Sequence, residues 1–538
     1  MAVQFRNLDT ASSYNLLHGE ERVRLSEVLT AERVASYQCG YGLHSGESLI
    51  YNYAAKLITD PILARMQALA DEQQLIDKYR MILEGEIMNT GERRMVLHHL
   101  CRGALAGPVV QENRNLGEFY EEQRARFSRF AEDVLAGTIT SPSGKPFTNV
   151  VQIGIGGSDL GPRAIQIALS GHEYEYGGRR RRGPMLDTRF VSNVDPDDPV
   201  GVLQGLDPEE TLFILVSKSG RTQETLTNEA FALHWLGEAG ITKPRRHVVC
   251  VTSESSPLAK SSEYLDSFFI DDYIGGRYSS SSAVGGTVLC LAYGPKVFGE
   301  FLAGAHEADR AALSPAVTDN PALLDAMIGI HERNVLGCPS TTVLPYSQAL
   351  VRFPAHLQQL DMESNGKRVN RDGEPIGYAT GPVIFGEPGT NGQHSFYQLL
   401  HQGTDVVPLQ FIGFARPQHG VDLTFEGSTS RQKLNANLAA QIVAFAVGQD
   451  NPDPNRRFPG ERPSSLLWAD RLTPRTLGAI LAHFENKVMF QGLAWNLNSF
   501  DQEGVQLGKV LANRVLGPGD LEGPLAAYAQ MTGSRPLR

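Results

Sequence analysis

Short β-branched runs alternate with longer helical stretches from Thr148 onward, and this alternation limits the fold more than any other feature of the sequence. The strand candidates are residues 150–155, 212–216 and 247–252, and the helix candidates between them are residues 160–169 and 223–236. Such alternation is typical of a parallel sheet covered by helices on both faces. We therefore predict an α/β fold with a doubly wound parallel sheet in this part of the chain.

A second series of the same kind follows a helical, proline-containing bridge around residues 300–335. Its strand candidates are residues 341–344, 383–385 and 406–411. The sequence therefore predicts two α/β sheets rather than one, which fits a length of 538 residues because single hydrophobic cores rarely grow that large.

Helical patterns precede and follow the two sheet regions. From Glu20 to about Phe130 apolar residues recur at three- and four-residue spacing, which is typical of amphipathic helices. The spacing returns over residues 473–515, with a break near residues 498–502. We predict an N-terminal helical arm (1–130), a first α/β domain (131–310), a second α/β domain (311–470) and C-terminal helices (471–538) that pack on the second domain and the active site.

Charge and cysteine content restrict the partners and the compartment. A net charge of -11 argues against nucleic-acid binding, which needs a basic domain or stripe. The four arginines at residues 179–182 lie beside glycines, and we interpret them as a solvated loop. Five widely spaced cysteines without a C-x-x-C pair favour a reducing cytosol, and no signal peptide or long apolar window is present. We expect a cytoplasmic protein without a membrane partner.

Two turns that follow strand candidates have the form of phosphate sites. The glycine turn (residues 154–162) offers backbone approach at its glycines, and it is equally consistent with a tight packing corner. The third glycine of G-x-G-x-x-G falls at Asp159, so the turn is not a dinucleotide fingerprint. The hydroxyl turn (residues 217–222) brings three Ser/Thr hydroxyls to a helix N-terminus, which favours a phosphate monoester over a plain helix cap.

Acid/base chemistry is suggested by two groups on separate turns. Glu363 follows a predicted helix over residues 347–360 and precedes Asn365-Gly366, a turn signal, so we expect its carboxylate on a loop edge. His394 is predicted in the first turn of a helix, and His401 on the same helix is interpreted as structural.

Other polar residues give weaker signals. Gln502 and Lys509 are seven residues apart and would share one face of a helix, although such pairs most often face water. No H-E-x-x-H string or metal-loop carboxylate spacing occurs, so we expect neither a metal nor a cofactor.

These strings resemble the glucose-6-phosphate isomerase (phosphoglucose isomerase) family, whose members are aldose-ketose isomerases with two sugar-isomerase α/β domains. The resemblance covers about four-fifths of the chain, from Ile87 through Lys509. The strings that carry it are residues 87–90, 96–98, 154–162, 217–228, 275–279, 362–367, 389–398 and 491–509.

The resemblance implies catalytic roles for four residues. Glu363 would move the proton between C1 and C2 of the sugar, and Arg277 would steady the enediolate. His394, supplied by the neighbouring subunit of a homodimer, and Lys509 would assist ring opening. The substrate in this family is a small-molecule sugar phosphate, and the active sites would lie at the subunit interface.

The same resemblance implies a set of substrate-binding residues. The phosphate would be held by Ser158, Ser217, Ser219 and Thr222 with the backbone around Lys218. The remaining pocket residues would be Gly157, Gln359 and Gln502.

Two departures from the family pattern bear on these roles. Gly220 and Arg221 replace residues that are usually Phe and Thr, which adds a cation and a flexible glycine to the hydroxyl turn. Ser280 and Ser281 replace a pair that is usually apolar, which bears on the packing around Arg277. Two alternatives remain open at this stage: a sugar-phosphate sensor without catalysis, and an isomerase for a related hexose phosphate such as mannose 6-phosphate.

Overall fold

The computed structural model describes residues 3–21, 23–44 and 46–535. The strands among these residues are β1 Gln38–Gly42, β2 Ser48–Asn52, β3 Val110–Gln111, β4 Arg114–Asn115, β5 Asn149–Ile153, β6 Glu173–Tyr176, β7 Arg179–Arg182, β8 Asp187–Val191, β9 Thr211–Val216, β10 Val248–Thr252, β11 Asp266–Phe269, β12 Ser340–Pro345, β13 Val383–Phe385, β14 Leu409–Phe414, β15 Thr424–Phe425, β16 Ser428–Thr429 and β17 Ser464–Ala469.

The α-helices in the same part of the chain alternate with these strands. They are α1 Ser12–Leu17, α2 Leu25–Val28, α3 Ala31–Ser36, α4 Asp60–Glu72, α5 Leu75–Leu83, α6 Leu116–Leu135, α7 Leu160–Leu169, α8 Asp197–Leu203, α9 Gln223–Glu238, α10 Ala283–Tyr293, α11 Pro295–Ala311, α12 Pro321–Ile330, α13 Phe353–Leu357, α14 Tyr397–Gln402, α15 Ser430–Val447, α16 Pro474–Ala494, α17 Gln506–Leu516 and α18 Gly523–Met531.

The first sheet has the order β11-β10-β9-β5-β8, and all five strands run parallel. Its core packs strand residues such as Val151, Phe213 and Cys250 against Leu236 of α9. From β5 the chain goes to β8 on one side and then crosses to β9 on the other side. The winding direction therefore reverses between β5 and β9, and ligands of doubly wound sheets bind at the carboxyl ends beside such a reversal.

The second sheet has the order β1-β2-β17-β14-β12-β13. Strands β17, β14, β12 and β13 run parallel, whereas β2 pairs antiparallel with β17 and β1 pairs antiparallel with β2. Helix α16 is buried almost from end to end and lies against α11 and α12, so it is a central part of the core of the protein.

The parallel first sheet and the four parallel strands of the mixed second sheet confirm the predicted α/β fold, and several local predictions need correction. Residues 38–52 form β1 and β2 within the stretch predicted as a helical arm, because their alternating pattern extends the second sheet. The four arginines are exposed as predicted, yet they form β7 of a hairpin with β6 rather than a loop. Strands β8 and β11 were not predicted, because they are short edge strands that begin with polar residues.

The chain divides into a large unit that ends at Ser499 and a C-terminal unit that begins at Phe500. The C-terminal unit contains α17 and α18. The predicted sequence of a long helix, a break and a shorter helix is confirmed by α16 and α17. The finer four-part domain division stays a prediction. None of the helices among the described residues has both the length and the apolar character needed to cross a membrane.

Candidate active site

The glycine turn and the hydroxyl turn lie side by side in the large unit. The first follows β5 and the second follows β9, and these strands pair directly, with Ile153 opposite Leu215. Both turns therefore lie at the carboxyl edge of the first sheet, where its winding reverses. Each leads into a helix, α7 or α9, whose N-terminal N–H groups and dipole favour an anion.

The hydroxyl turn gathers three side-chain hydroxyls at the start of α9. Ser217 Oγ donates to Thr222 Oγ1 at 3.0 Å, and the backbone N–H of Arg221 donates to Ser219 Oγ at 3.2 Å. Thr222 is the N-cap residue of α9, which is 16 residues long. The predicted convergence of hydroxyls on a helix N-terminus is therefore present.

The charged side chains of Lys218 and Arg221 do not contact the three hydroxyls of this turn. The Lys218 ammonium donates to the carbonyl of Ile274 at 3.3 Å and lies 3.8 Å from Asp272. Burial lowers the pKa of Lys218, with Asp272 opposing the shift. Arg221 is exposed, so the added cation stands in solvent.

Gly220 has a geometric reason to be glycine. Its φ is +63°, and a Cβ atom there would lie 2.1 Å from Ser256 Oγ. Because glycine has no side chain, Gly220 lets the hydroxyl turn approach the segment that follows β10 closely.

The glycine turn contacts the segment that carries Arg277. A Cβ atom on Gly157 would lie 2.1 Å from the carbonyl carbon of Gly276, so the two backbones touch. Ser279 Oγ donates to the carbonyl oxygen of Gly276 at 2.6 Å and to that of Gly157 at 3.3 Å. The sequence left two interpretations of the glycine turn open, a packing corner and a ligand site. Gly157 has the close contact expected of a packing corner, and Ser158 beside it is partly exposed, as a ligand site would require.

Arg277 is buried on the 3-10 helix Gly276–Ser281, with 1% of its side chain exposed. Nε donates to Ser364 Oγ at 2.7 Å, and Nη2 donates to the carbonyl oxygen of Ser499 at 2.6 Å. Nη1 lies 3.3 Å from Oε2 of Glu363. The structure therefore brings together the two residues that the sequence assigned to the base and to the electrostatic role.

Glu363 is the last residue of the π-helix Gln358–Glu363, which continues α13, and helical backbone extends to Asn365. The prediction of a loop edge is wrong. Asn365 looked like a turn residue, but its side chain is buried and donates to the carbonyl of Val488 at 3.0 Å. The Glu363 side chain is 22% exposed, so it is less enclosed than the Arg277 side chain that it faces.

Gln359 lies one turn before Glu363 on the same π-helix. Its Nε2 is 3.3 Å from the position of a Cβ atom on Gly156, so the side chain packs against the glycine turn. The second α/β region thus brings Gln359 to the glycine turn and Glu363 to Arg277.

Both serines of the pair that departs from the family pattern are buried, and Ser281 has a polar partner. Ser281 Oγ accepts a hydrogen bond from Nε of Arg102 at 2.9 Å, and Arg102 pairs with Asp309 and Glu485. Ser280 Oγ lies 2.2 Å from the position of a Cβ atom on Gly161, so a side chain at position 161 would clash with Ser280. The helix that carries Arg277 is therefore held by polar contacts.

His394 does not lie in the first turn of a helix as predicted. It is the last residue of the 3-10 helix Asn391–His394, before α14. Its side chain is exposed, and among the described residues no hydrogen bond joins it to Glu363 or Arg277. His401 on α14 stacks on Phe445 at 3.7 Å and bonds Gln441 at 2.9 Å, which confirms its structural interpretation.

Gln502 and Lys509 belong to the C-terminal unit. Lys509 lies on α17, whereas Gln502 is the N-cap residue of the 3-10 helix Glu503–Val505 and is not itself helical. The two residues would share one face only if the whole segment were helical, and the break predicted near residues 498–502 includes Gln502.

Three residues around Arg277 were missed by the sequence analysis: Ser364, Ser499 and Tyr278. The Tyr278 hydroxyl lies 3.2 Å from Ser364 Oγ, and burial raises the pKa of Tyr278 to about 12, so its phenol stays protonated at neutral pH. The only available signal was adjacency, since Ser364 follows Glu363 and Tyr278 follows Arg277.

No set of three or more His, Cys, Asp or Glu side chains in the described ranges is placed to hold a metal ion.

Comparison with known proteins agrees with this geometry. The family model described as phosphoglucose isomerase matches residues 52–528. The chain belongs to the phosphoglucose isomerase family. Within that family it is 57% identical over 533 residues to the glucose-6-phosphate isomerase of Treponema pallidum, with 98% of each chain covered. It is 54% identical to the enzyme of the same name from Treponema denticola, over 98% of this chain and 99% of the relative.

A solved structure of the phosphoglucose isomerase family shares the fold over nearly the whole chain. It is a crystal structure of a glucose-6-phosphate isomerase from Chlamydia trachomatis, with a TM-score of 0.90 and 41% identity. The match covers 98% of this chain and 99% of that chain.

The close approach of Gly157 and Gly276 generates a stability prediction for this phosphoglucose isomerase family member. Gly157→Ala places a methyl group within 2.1 Å of backbone, so the two segments must separate. We expect a destabilisation of about 2 kcal/mol or more, measured as a fall in Tm by calorimetry. The matched control is Gly237→Ala on α9, where an added Cβ meets nothing within 4 Å and Ala favours the helix. Equal Tm values for the two variants would contradict the contact.

Proposed function

We propose that this protein is a glucose-6-phosphate isomerase that interconverts glucose 6-phosphate and fructose 6-phosphate in glycolysis and gluconeogenesis. The observation that carries the proposal is the Glu363–Arg277 pair, 3.3 Å apart, beside the glycine turn, which lies next to the hydroxyl turn at the edge of the first sheet. The relatives support the substrate, since the proteins from Treponema pallidum, Treponema denticola and Chlamydia trachomatis all bear the name glucose-6-phosphate isomerase.

Glu363 is the proposed base. Moving a hydrogen between adjacent carbons of an opened sugar needs one group that removes the proton from C2 and returns it to C1 on the same face. A partly exposed carboxylate meets this need, and a positioned base contributes about 10² to 10⁴ in rate. His394 and Lys509 are the proposed groups for opening the ring, through proton transfer to and from the ring oxygen and the C1 hydroxyl.

Arg277 is the proposed stabiliser of the enediolate intermediate. Negative charge develops on the C1 and C2 oxygens after the proton leaves, and a guanidinium remains cationic at any working pH. Its fixed position beside Glu363 means that little reorganisation is needed when the charge appears.

The substrate phosphate is assigned to the hydroxyl turn and to Ser158. Hydroxyls and helix N-terminal N–H groups bind a phosphate without a metal. Because the phosphate is remote from C1 and C2, its binding energy orients the reacting carbons against Glu363. Gly157, Gln359 and Gln502 are the proposed lining of the rest of the pocket.

The proposed assembly is a homodimer in the cytoplasm, with the active sites at the subunit interface. His394 is exposed on its own subunit, which suits a residue that completes the site of a second copy. A twofold interface would place one His394 in each of two equivalent sites.

The activity is tested by Glu363→Gln. The amide keeps the shape of the side chain but cannot accept a proton, so we expect turnover in a coupled glucose 6-phosphate assay to fall by about 10³-fold or more. Binding of fructose 6-phosphate, measured by calorimetry, should change by less than about threefold. The control is Glu84→Gln, which alters an exposed carboxylate elsewhere. Near-normal turnover of Glu363→Gln would contradict the assignment of Glu363 as the base. Absence of turnover in the unsubstituted protein would favour a sensor.

The shared site is tested by mixing two inactive variants. If Glu363 and His394 come from different subunits, exchange between Glu363→Gln and His394→Ala dimers creates hybrids with one intact site. We expect the mixture to recover about a quarter of the unsubstituted activity. A second mixture, of Glu363→Gln with a variant that carries both substitutions, should recover none. Equal activities of the two mixtures would place both groups in one subunit.

A further inference from the structure

We propose that Ser364 is a positioning residue that fixes the plane of the Arg277 guanidinium against Glu363, and that it acts on the enediolate stage without touching the sugar. The inference rests on the proposed function, since it assigns a role within the same reaction. Its basis is the arrangement of hydrogen-bond acceptors around Arg277.

All three nitrogens of the Arg277 guanidinium have identified partners. Nε donates to Ser364 Oγ at 2.7 Å, Nη2 donates to the Ser499 carbonyl at 2.6 Å, and Nη1 faces Glu363 Oε2 at 3.3 Å. A guanidinium is planar, so two fixed donor directions determine where the third points. The contacts to Ser364 and Ser499 are shorter than the one to Glu363, and they therefore set the direction of Nη1.

The Ser364 hydroxyl has no freedom to move away. Ser364 is 0% exposed, and its Oγ also lies 3.2 Å from the Tyr278 hydroxyl. The Tyr278 ring in turn stacks on His98, with centroids 4.6 Å apart. Because water cannot readily replace a lost partner at such a buried position, removal of the hydroxyl leaves the Nε–H of Arg277 without its acceptor.

One short segment supplies both the base and the supports of the guanidinium. Glu363 faces Nη1, Ser364 accepts from Nε, and Asn365 anchors Ser499 by accepting from its Oγ at 2.7 Å. The carboxylate and the guanidinium are thus fixed to the same backbone. Gly492 makes room for the last contact, since a Cβ there would lie 1.8 Å from Ser499 Oγ.

A positioning role predicts an effect on turnover rather than on substrate binding. A misplaced guanidinium still leaves the phosphate on its turn, but it stabilises the charge on the C1 and C2 oxygens less well. Displacement by about 1 Å is enough to lower a rate by about a hundredfold. The sugar ground state carries no such charge, so KM should change little.

The test is Ser364→Ala, with kinetics and two binding probes. We expect kcat for fructose 6-phosphate to fall about 10- to 100-fold with KM within about threefold. A planar anionic probe, the hydroxamate of a five-carbon sugar acid 5-phosphate, should lose affinity by the same factor as kcat. The second probe, glucitol 6-phosphate, has no charge at C1 or C2 and carries only the charge of its phosphate. Its affinity should therefore be unchanged.

Controls separate positioning from general damage. Ser464→Ala removes a buried serine hydroxyl of β17 outside the site, and it should leave kcat unchanged. Tyr278→Phe removes only the neighbouring hydroxyl, so it should give the same pattern with a smaller fall even if Ser364→Ala folds poorly. In an Arg277→Ala background, Ser364→Ala should cause no further loss, because the group that it positions is absent.

Several results would overturn the inference while the proposed function stands. These are normal kcat for Ser364→Ala and Tyr278→Phe, equal weakening of both probes, or a full additional loss in the Arg277→Ala background. A protein without isomerase activity before any substitution would instead refute the proposed function.

Discussion

The buried guanidinium of Arg277 is the constraint on which the site depends. A charged group with 1% of its side chain exposed is unfavourable unless its N–H groups have acceptors. Those acceptors lie on segments 86 to 222 positions away in the chain, namely Glu363 and Ser364 on one side and Ser499 on the other. Burial of this one cation therefore requires that three distant segments meet, and their meeting places the Glu363 carboxylate beside the guanidinium.

Arg277 and Glu363 differ in solvent exposure, and this difference suits the proposed chemistry. Arg277 is enclosed, whereas Glu363 is 22% exposed. A base must reach a carbon atom of the substrate, so it needs an open side. A stabilising charge works best when it is fixed and shielded from water, because a low local dielectric strengthens its effect. The fold supplies both conditions at the edge where the first sheet reverses its winding.

Much of the fold could be predicted because the relevant signals are local. Alternating strands and helices predicted the parallel strands of both sheets, and the hydroxyl turn was placed correctly at the start of α9. The predictions that were wrong concern residues whose partners lie far away in the sequence. Strand β2 pairs with β17, more than 400 positions later in the chain, and β1 pairs with β2. The side chain of Asn365, in the apparent turn, donates to the carbonyl of the distant Val488. Ser364 carried no signal of its own, since its role exists only once Arg277 is beside it.

The most direct test of the account is isomerisation in deuterium oxide, followed by NMR of the products. If a carboxylate carries the proton between the two carbons, that proton exchanges with solvent in some turnovers while it resides on Glu363. The account predicts that fructose 6-phosphate yields glucose 6-phosphate with deuterium at C2. Full conversion with no deuterium at C1 or C2 would contradict it, because the hydrogen would then have moved without ever residing on a base.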